Sequence, residues 1–232
     1  MAIARRGPTK PWQLVLLLIL AVASWALKQQ KSPPAAGKAE RPSTVERPST
    51  VERTSTVERT STHGYEVISG CRWHDDSHND GDSFYASLPD GRVEQFRLYY
   101  VDAPESQFRT YGGGATNRER IHEQAQEMGL TDDQAVEIGQ RAKALTHDLL
   151  SRGTFTLYTR WDDPFGDKRY HVFVTPPDGG PFLEETLVRE GLVRIHTKGA
   201  DLPDGTPVKE RLRQLRELEK EAKKAKRGAW GK

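Results

Sequence analysis

Phe96-Arg97-Leu98-Tyr99-Tyr100-Val101-Asp102-Ala103-Pro104-Glu105 is the stretch of this 232-residue chain on which its fold turns. Val93–Val101 carries aromatic and branched residues without Gly or Pro, the composition of a strand. Two-residue alternation sends Arg97, Tyr99 and Val101 to one face and Leu98, Tyr100 and Asp102 to the other. Pro104 cannot donate to a ladder, so the chain leaves the sheet at Asp102-Ala103-Pro104-Glu105. A bend there is needed before Arg97 and Glu105 can converge.

Upstream, Tyr65–Arg72 and Ser83–Leu88 read as strands, and Pro89-Asp90-Gly91 is a turn into the Val93 strand. Downstream, 106–131 is glycine-rich, then polar and helical from Asn117 to Met128. Thr131-Asp132-Asp133 starts a helix with acids in its first turn. Ala135, Ile138, Ala142, Leu145 and Leu149 then recur at helical spacing to Ser151. Phe155–Arg160 and Arg169–Thr175 are strands, Phe182–Glu190 a short helix, and Val208–Lys226 a long charged helix with Leu212, Leu215 and Leu218 on one face. Three strands, a helix, two strands and further helices predict an α+β domain: a five-stranded Greek-key barrel of the OB type with about three helices.

This domain is expected over 63–232. Residues 28–62 read as a disordered linker, because the unit Glu-Arg-Pro-Ser-Thr-Val repeats from Glu40 and Glu46, then with Thr for Pro from Glu52. Val is its one aliphatic residue, so it builds no core. Residues 1–27 read as a signal peptide or a retained signal anchor: Arg5, Arg6 and Lys10 precede a mostly apolar run, Pro11–Leu27. Basic flanks stay in the cytoplasm, which predicts an extracytoplasmic domain, secreted or held at a membrane by this segment. Charge divides along the chain. Residues 1–62 hold ten Lys/Arg against four Glu, 63–206 fifteen against twenty-five acids, and 207–232 ten against four. The acidic middle suits a cation site and argues against a surface that clamps nucleic acid everywhere. The single Cys71 excludes an internal disulfide and a paired-cysteine zinc site, and reads as a buried strand residue.

Three clusters carry chemistry: Asp80-Gly81-Asp82-Ser83 entering a strand, the Phe96–Glu105 stretch, and Phe165-Gly166-Asp167-Lys168-Arg169 entering another. Alone, Asp-x-Asp is more often a turn, and a lone Arg a surface ion pair. The tract His74-Asp75-Asp76-Ser77-His78 reads as a solvated loop, His171 and His196 as packing or rim residues, and Tyr99 and Tyr100 as core or groove wall.

Taken together and in order, with Glu184–Gly191 and the Lys-rich last helix, these segments resemble the staphylococcal nuclease family over about 65–231. The resemblance implies a calcium-dependent nuclease, endo- or exonucleolytic on DNA or RNA, cleaving P–O5′ and leaving 3′-phosphate ends. By this likeness Asp82 and Asp102 are calcium carboxylates, Ala103 supplies a backbone carbonyl, and Glu105 is the general base or water-orienting group. Arg97 and Arg169 are the phosphate-binding arginines. These residue types suit that chemistry, because calcium prefers oxygen ligands and guanidiniums hold the charge that builds on phosphoryl oxygens. The chain departs from the family at Gly166-Asp167-Lys168-Arg169, where Arg usually follows Gly directly, and at Phe165, where a tyrosine is common. The 106–131 insertion either reshapes the groove or elaborates the surface. A monomer is expected. The alternative is a catalytically weak nucleic-acid-binding module of the same fold.

Overall fold

The computed structural model describes residues 60–231. The expected apolar segment and the repeats before Thr60 lie outside the described residues. Strands β1 (Thr60–Thr62), β2 (Tyr65–His74), β3 (Ser83–Ser87), β4 (Val93–Leu98) and β5 (Val101–Asp102) come first. Helices α1 (Arg118–Met128) and α2 (Asp132–Ser151) follow, then β6 (Phe155–Thr159), β7 (Arg169–Thr175), α3 (Leu183–Arg189), β8 (Arg194–Ile195) and α4 (Val208–Lys224). The described part is therefore α+β with four α-helices; the helix expected over Asn117–Met128 is α1, inside the 106–131 insertion, and it takes the number beyond the three of the expected barrel.

Strands β2, β3 and β4 pair antiparallel in sequence, β4 pairs parallel with β7, and β7 pairs back through β6 to β2. These five pairings form a closed ring. Strand β1 adds to β2 in register Thr60↔Val67. Alternation fills the interior with Phe84, Phe96, Phe155 and Phe173, all essentially unexposed.

The expected single strand Val93–Val101 breaks after Leu98. Tyr99 and Tyr100 are adjacent and both fully buried, and both rings lie near the same Phe173 ring, where a regular strand would send neighbours to opposite faces. The backbone resolves this by turning at Tyr100 into positive φ, +69°. The Tyr99 ring lies 4.8 Å and the Tyr100 ring 6.1 Å from that of Phe173. The Tyr99 hydroxyl donates to Asp162 and the Tyr100 hydroxyl to the Ala200 carbonyl. Val101-Asp102 then leaves the ring and pairs with β8. The bend therefore precedes the Asp-Ala-Pro stretch rather than falling on it.

Helix α2 starts as its sequence predicts. Thr131 caps Gln134 N–H and the Gln134 side chain returns the bond. Leu215 of α4 is fully buried, with Leu212 and Leu218 packed at the core's edge. A buried Arg211–Glu184 pair, 2.7 Å, ties α4 to α3. Burial pushes Glu184 up to about 7 even against Arg211. Cys71 is buried, and burial pushes its thiol up to about 12, which makes it unreactive. Among the described residues no helix is long and apolar enough to cross a membrane.

Candidate active site

Two loops carry the acids, and α2 presses them together. A Cβ on Gly81 would stand 2.6 Å from Ala142 Cβ and 2.9 Å from Ala103 Cβ. A Cβ on Gly139 would lie 2.6 Å from the Glu105 carbonyl oxygen, and closer still to that of Pro104. Thr146 of α2 donates to the Gly81 carbonyl at 2.7 Å. Both glycines thus permit a close approach between helix and loop that any side chain would prop apart.

Ladder register does the rest for Arg97. It pairs across from Ser83, the residue after Asp82. One nitrogen, Arg97 Nη2, donates to Asp82 Oδ2 at 3.0 Å and to Asp102 Oδ1 at 2.7 Å. Asp82 Oδ2 also accepts from Ala103 N–H, and Asp82 Oδ1 from the Ser83 hydroxyl. Asp82, Arg97 and Asp102 are all more than nine-tenths buried. Arg97 Nε is buried with no partner among the described residues. A buried donor of this kind is costly unless an acceptor meets it.

The insertion belongs to the site, and the sequence reading missed its contribution. Arg120 of α1 donates from Nη2 to Asp102 Oδ1 at 2.9 Å and from Nε to Glu105 Oε1 at 2.7 Å. Gln124, fully buried, donates to Asp102 Oδ2 and to the Ala103 carbonyl, and accepts from Glu105 N–H. Asn117 donates to Glu105 Oε2. From β8, Arg194 grips Asp102 Oδ2 through Nε at 2.9 Å and Nη2 at 2.8 Å, and pairs with Glu127 of α1. The available signals were a glutamine on the Ile121/Ala125/Met128 stripe of α1, and an arginine inside the apolar run Leu192-Val193-Arg194-Ile195.

Of the residues expected to act, the structure brings Asp82, Arg97, Ala103 and Glu105 into one polar cleft, while Asp102, joined to Asp82 through Arg97, lines the neighbouring cavity. Arg169 lines the same cleft but is turned to its own loop. Its Nε and Nη2 both donate to Asp167 Oδ2, and its backbone N–H donates to Asp167 Oδ1. The cleft encloses about 540 Å³, with Asp80, Asp82, Ala103, Glu105 and Asp167 supplying its oxygens. A neighbouring cavity of about 350 Å³ is walled by Phe165, His196, Thr197 and Lys198. His171, by contrast, is wholly buried in the core beneath Arg97. His78 of the 74–78 loop is exposed at the rim of the cleft and pairs with Asp76.

Charge in the cleft is uneven. Burial, then the neighbouring Asp82, pushes Asp80 up to about 7. Burial also raises Asp82 against the pull of Arg97. Asp102 is buried too, but Arg120, the Gln124 amide, Arg194 and Arg97 together hold it below the usual carboxylate range. Burial therefore outweighs the cations on the Asp80/Asp82 side, and the reverse holds at Asp102. The donors of the site fit a hard divalent cation. Asp82 and Asp102 already share one cationic nitrogen, and the Ala103 carbonyl keeps a second lone pair beyond Gln124. Among the described residues no three His, Cys, Asp or Glu side chains cluster tightly enough to hold a metal alone. Such an ion would rest on two carboxylates, a carbonyl and water.

No curated protein matches the chain. A model of the staphylococcal nuclease homologue family matches residues 95–232, taking in Arg97, Asp102, Ala103, Glu105 and Arg169. The matched span exceeds half of the chain, and it begins on the segment where Arg97 reaches Asp102; the chain belongs to the staphylococcal nuclease homologue family.

Proposed function

We propose that this protein is a calcium-dependent phosphodiesterase that hydrolyses DNA or RNA. The observation carrying this reading is Arg97: its Nη2 joins Asp82 to Asp102 while its buried Nε lacks an acceptor, beside Glu105 in an open cleft. A phosphoryl oxygen is the acceptor that fits. The closed ring of strand pairs supports the OB-type barrel that the family implies.

In this reading Asp82, Asp102 and the Ala103 carbonyl hold the cation, which when bound supplies charge stabilisation at the phosphate. Arg97 binds a phosphoryl oxygen through fixed donors that keep their charge. Glu105 orients a water and takes its proton as the oxygen attacks phosphorus. The P–O5′ bond breaks, and the departing 5′ oxygen takes a proton from solvent. Gln124 and Asn117 hold the Glu105 backbone and side chain in place. Losing one such charge-stabilising donor costs about 3–4 kcal/mol of barrier.

The test is hydrolysis of labelled DNA and RNA by the full chain, with calcium or chelator. Glu105→Gln is expected to suppress cleavage and keep the fold. Undiminished calcium-dependent cleavage by that variant sinks the mechanism. The Arg169–Asp167 pairing favours a second reading, a binding module of weak activity. Strand binding without any cleavage in calcium would select it.

A further inference from the structure

We propose that Arg120 is a third phosphate-binding arginine of this cleft, supplied by the inserted helix α1, and that substrate phosphate takes it over from Glu105. This rests on the phosphodiesterase reading.

Three observations carry it. The first is position. The 540 Å³ and 350 Å³ cavities share three wall residues, Arg97, Arg120 and Arg169. A phosphate on the ridge between the cavities meets guanidiniums from β4, α1 and β7. The second is mobility. Three arginines grip Asp102, and two of their side chains are almost closed off, Arg97 at 8% and Arg194 at 10% exposed. Arg120 is 46% exposed. Asp102 stays satisfied by Arg97, Arg194 and Gln124 when Arg120 lets go. The third is unused capacity. A guanidinium has five N–H donors. Arg120 bonds through Nε and Nη2, and its Nη1 has no partner among the described residues.

The Arg120–Glu105 contact joins a half-exposed guanidinium to a partly buried carboxylate, and an incoming phosphate offers Arg120 one anionic partner in exchange for another. The exchange has a consequence for chemistry. Without substrate, Glu105 Oε1 is held by Arg120. With phosphate on Arg120, Oε1 is released toward water while Asn117 and Gln124 still fix the residue. Substrate binding therefore frees the base.

The experiment measures binding of a fluorescent single-stranded oligonucleotide to the full chain in calcium, across a salt series, in the Glu105→Gln background. That background removes the charge Arg120 would otherwise merely mask. Adding Arg120→Ala is expected to weaken binding about tenfold or more and to lower the log K against log salt slope by about 0.7, one phosphate contact on a single strand. Arg120→Lys in its place keeps most of the slope. Arg152→Ala, which removes equal charge outside the cleft, keeps both affinity and slope. Equal binding by Glu105→Gln with and without Arg120→Ala overturns the proposal alone. Absence of any binding by Glu105→Gln, with no cleavage by wild type, overturns the phosphodiesterase reading and this inference with it.

Discussion

Replacing Gln124 with Leu tests whether the insertion builds the site or decorates it. The Gln124 carboxamide is fully buried and touches the 102–105 segment at three points. Its Nε2 donates to Asp102 Oδ2 at 2.9 Å and Ala103 O at 3.0 Å, and its Oε1 accepts from Glu105 N at 3.1 Å. Leucine fills similar space without polar atoms. Asp102 keeps Arg97, Arg120 and Arg194, so the loss falls on two backbone groups, the Glu105 N–H and the Ala103 carbonyl. Each buried group left unpaired costs about 1–3 kcal/mol, so the pair costs about 2–6 kcal/mol. With a urea dependence of about 2 kcal/mol per molar, the unfolding midpoint falls by about 1–3 M. Those same groups set where Glu105 and the Ala103 carbonyl sit. Turnover of the still-folded variant in calcium is therefore expected to fall by about a hundredfold, the effect of a shift of about 1 Å in a reacting group. Urea unfolding followed by tryptophan fluorescence gives the first number, and cleavage of labelled oligonucleotide the second. A midpoint within about 0.25 M of wild type, with wild-type turnover, refutes the reasoning.

Gly139→Ala is expected to cost about 1–3 kcal/mol or more, because the new methyl meets backbone oxygens of Pro104 and Glu105 that are not free to retreat. It should lower turnover more than affinity; wild-type stability by calorimetry, with wild-type turnover, would show the seam to be slack. His171 gives a pH prediction. Burial and then Arg97 lower its pKa from 6.5 to about 4, and both ring nitrogens lack partners among the described residues. Between those values the unfolded chain binds the extra proton, so this contribution to stability is whole above pH 6.5 and is lost as pH falls toward about 4. The shift sets that loss at roughly 3 kcal/mol. His171→Leu should flatten the acid limb of the stability curve, read as urea midpoints from about pH 7 to about pH 4.5. An acid limb as steep as wild type would show that other groups set it.

The sequence made legible what lies within a few residues of itself. Alternation located β3, β4 and β7, the capping residues placed the start of α2, and the charged motifs pointed to Asp82, Arg97, Asp102 and Glu105. Two things were hidden for physical reasons. Tyr99-Tyr100 looks like the middle of a strand because aromatic residues favour strands, and the positive φ at Tyr100 that ends it, with both rings turned toward Phe173, has no local signal. Arg120 and Gln124 lie on a polar helix and reach carboxylates 15 to 22 residues earlier in the chain, a distance at which spacing rules say nothing. Arg169 is the reverse case. Its motif position suggested a free phosphate ligand, but the extra Asp167 beside it supplies an acid at 2.6 Å.

The acidic middle of the chain, at first sight unsuited to nucleic acid, becomes intelligible at Asp102. A buried carboxylate alone would be prohibitively desolvated, and three guanidiniums and an amide make it tolerable. Held this way, Asp102 fixes two buried arginines and lightly restrains a third at the mouth of the cleft. Asp82 has Arg97 alone of these arginines within bonding distance, and burial raises both it and Asp80. The same kind of side chain thus has opposite effects a few ångströms apart. In the proposed reading, acids on one flank organise cations for a phosphate, and those on the other would take a metal. An anionic strand entering an acidic domain gains little from long-range attraction. Its recognition has to be local, and the inserted helix, by bringing Arg120 to the ridge between the two cavities, adds a cation at the place where it acts.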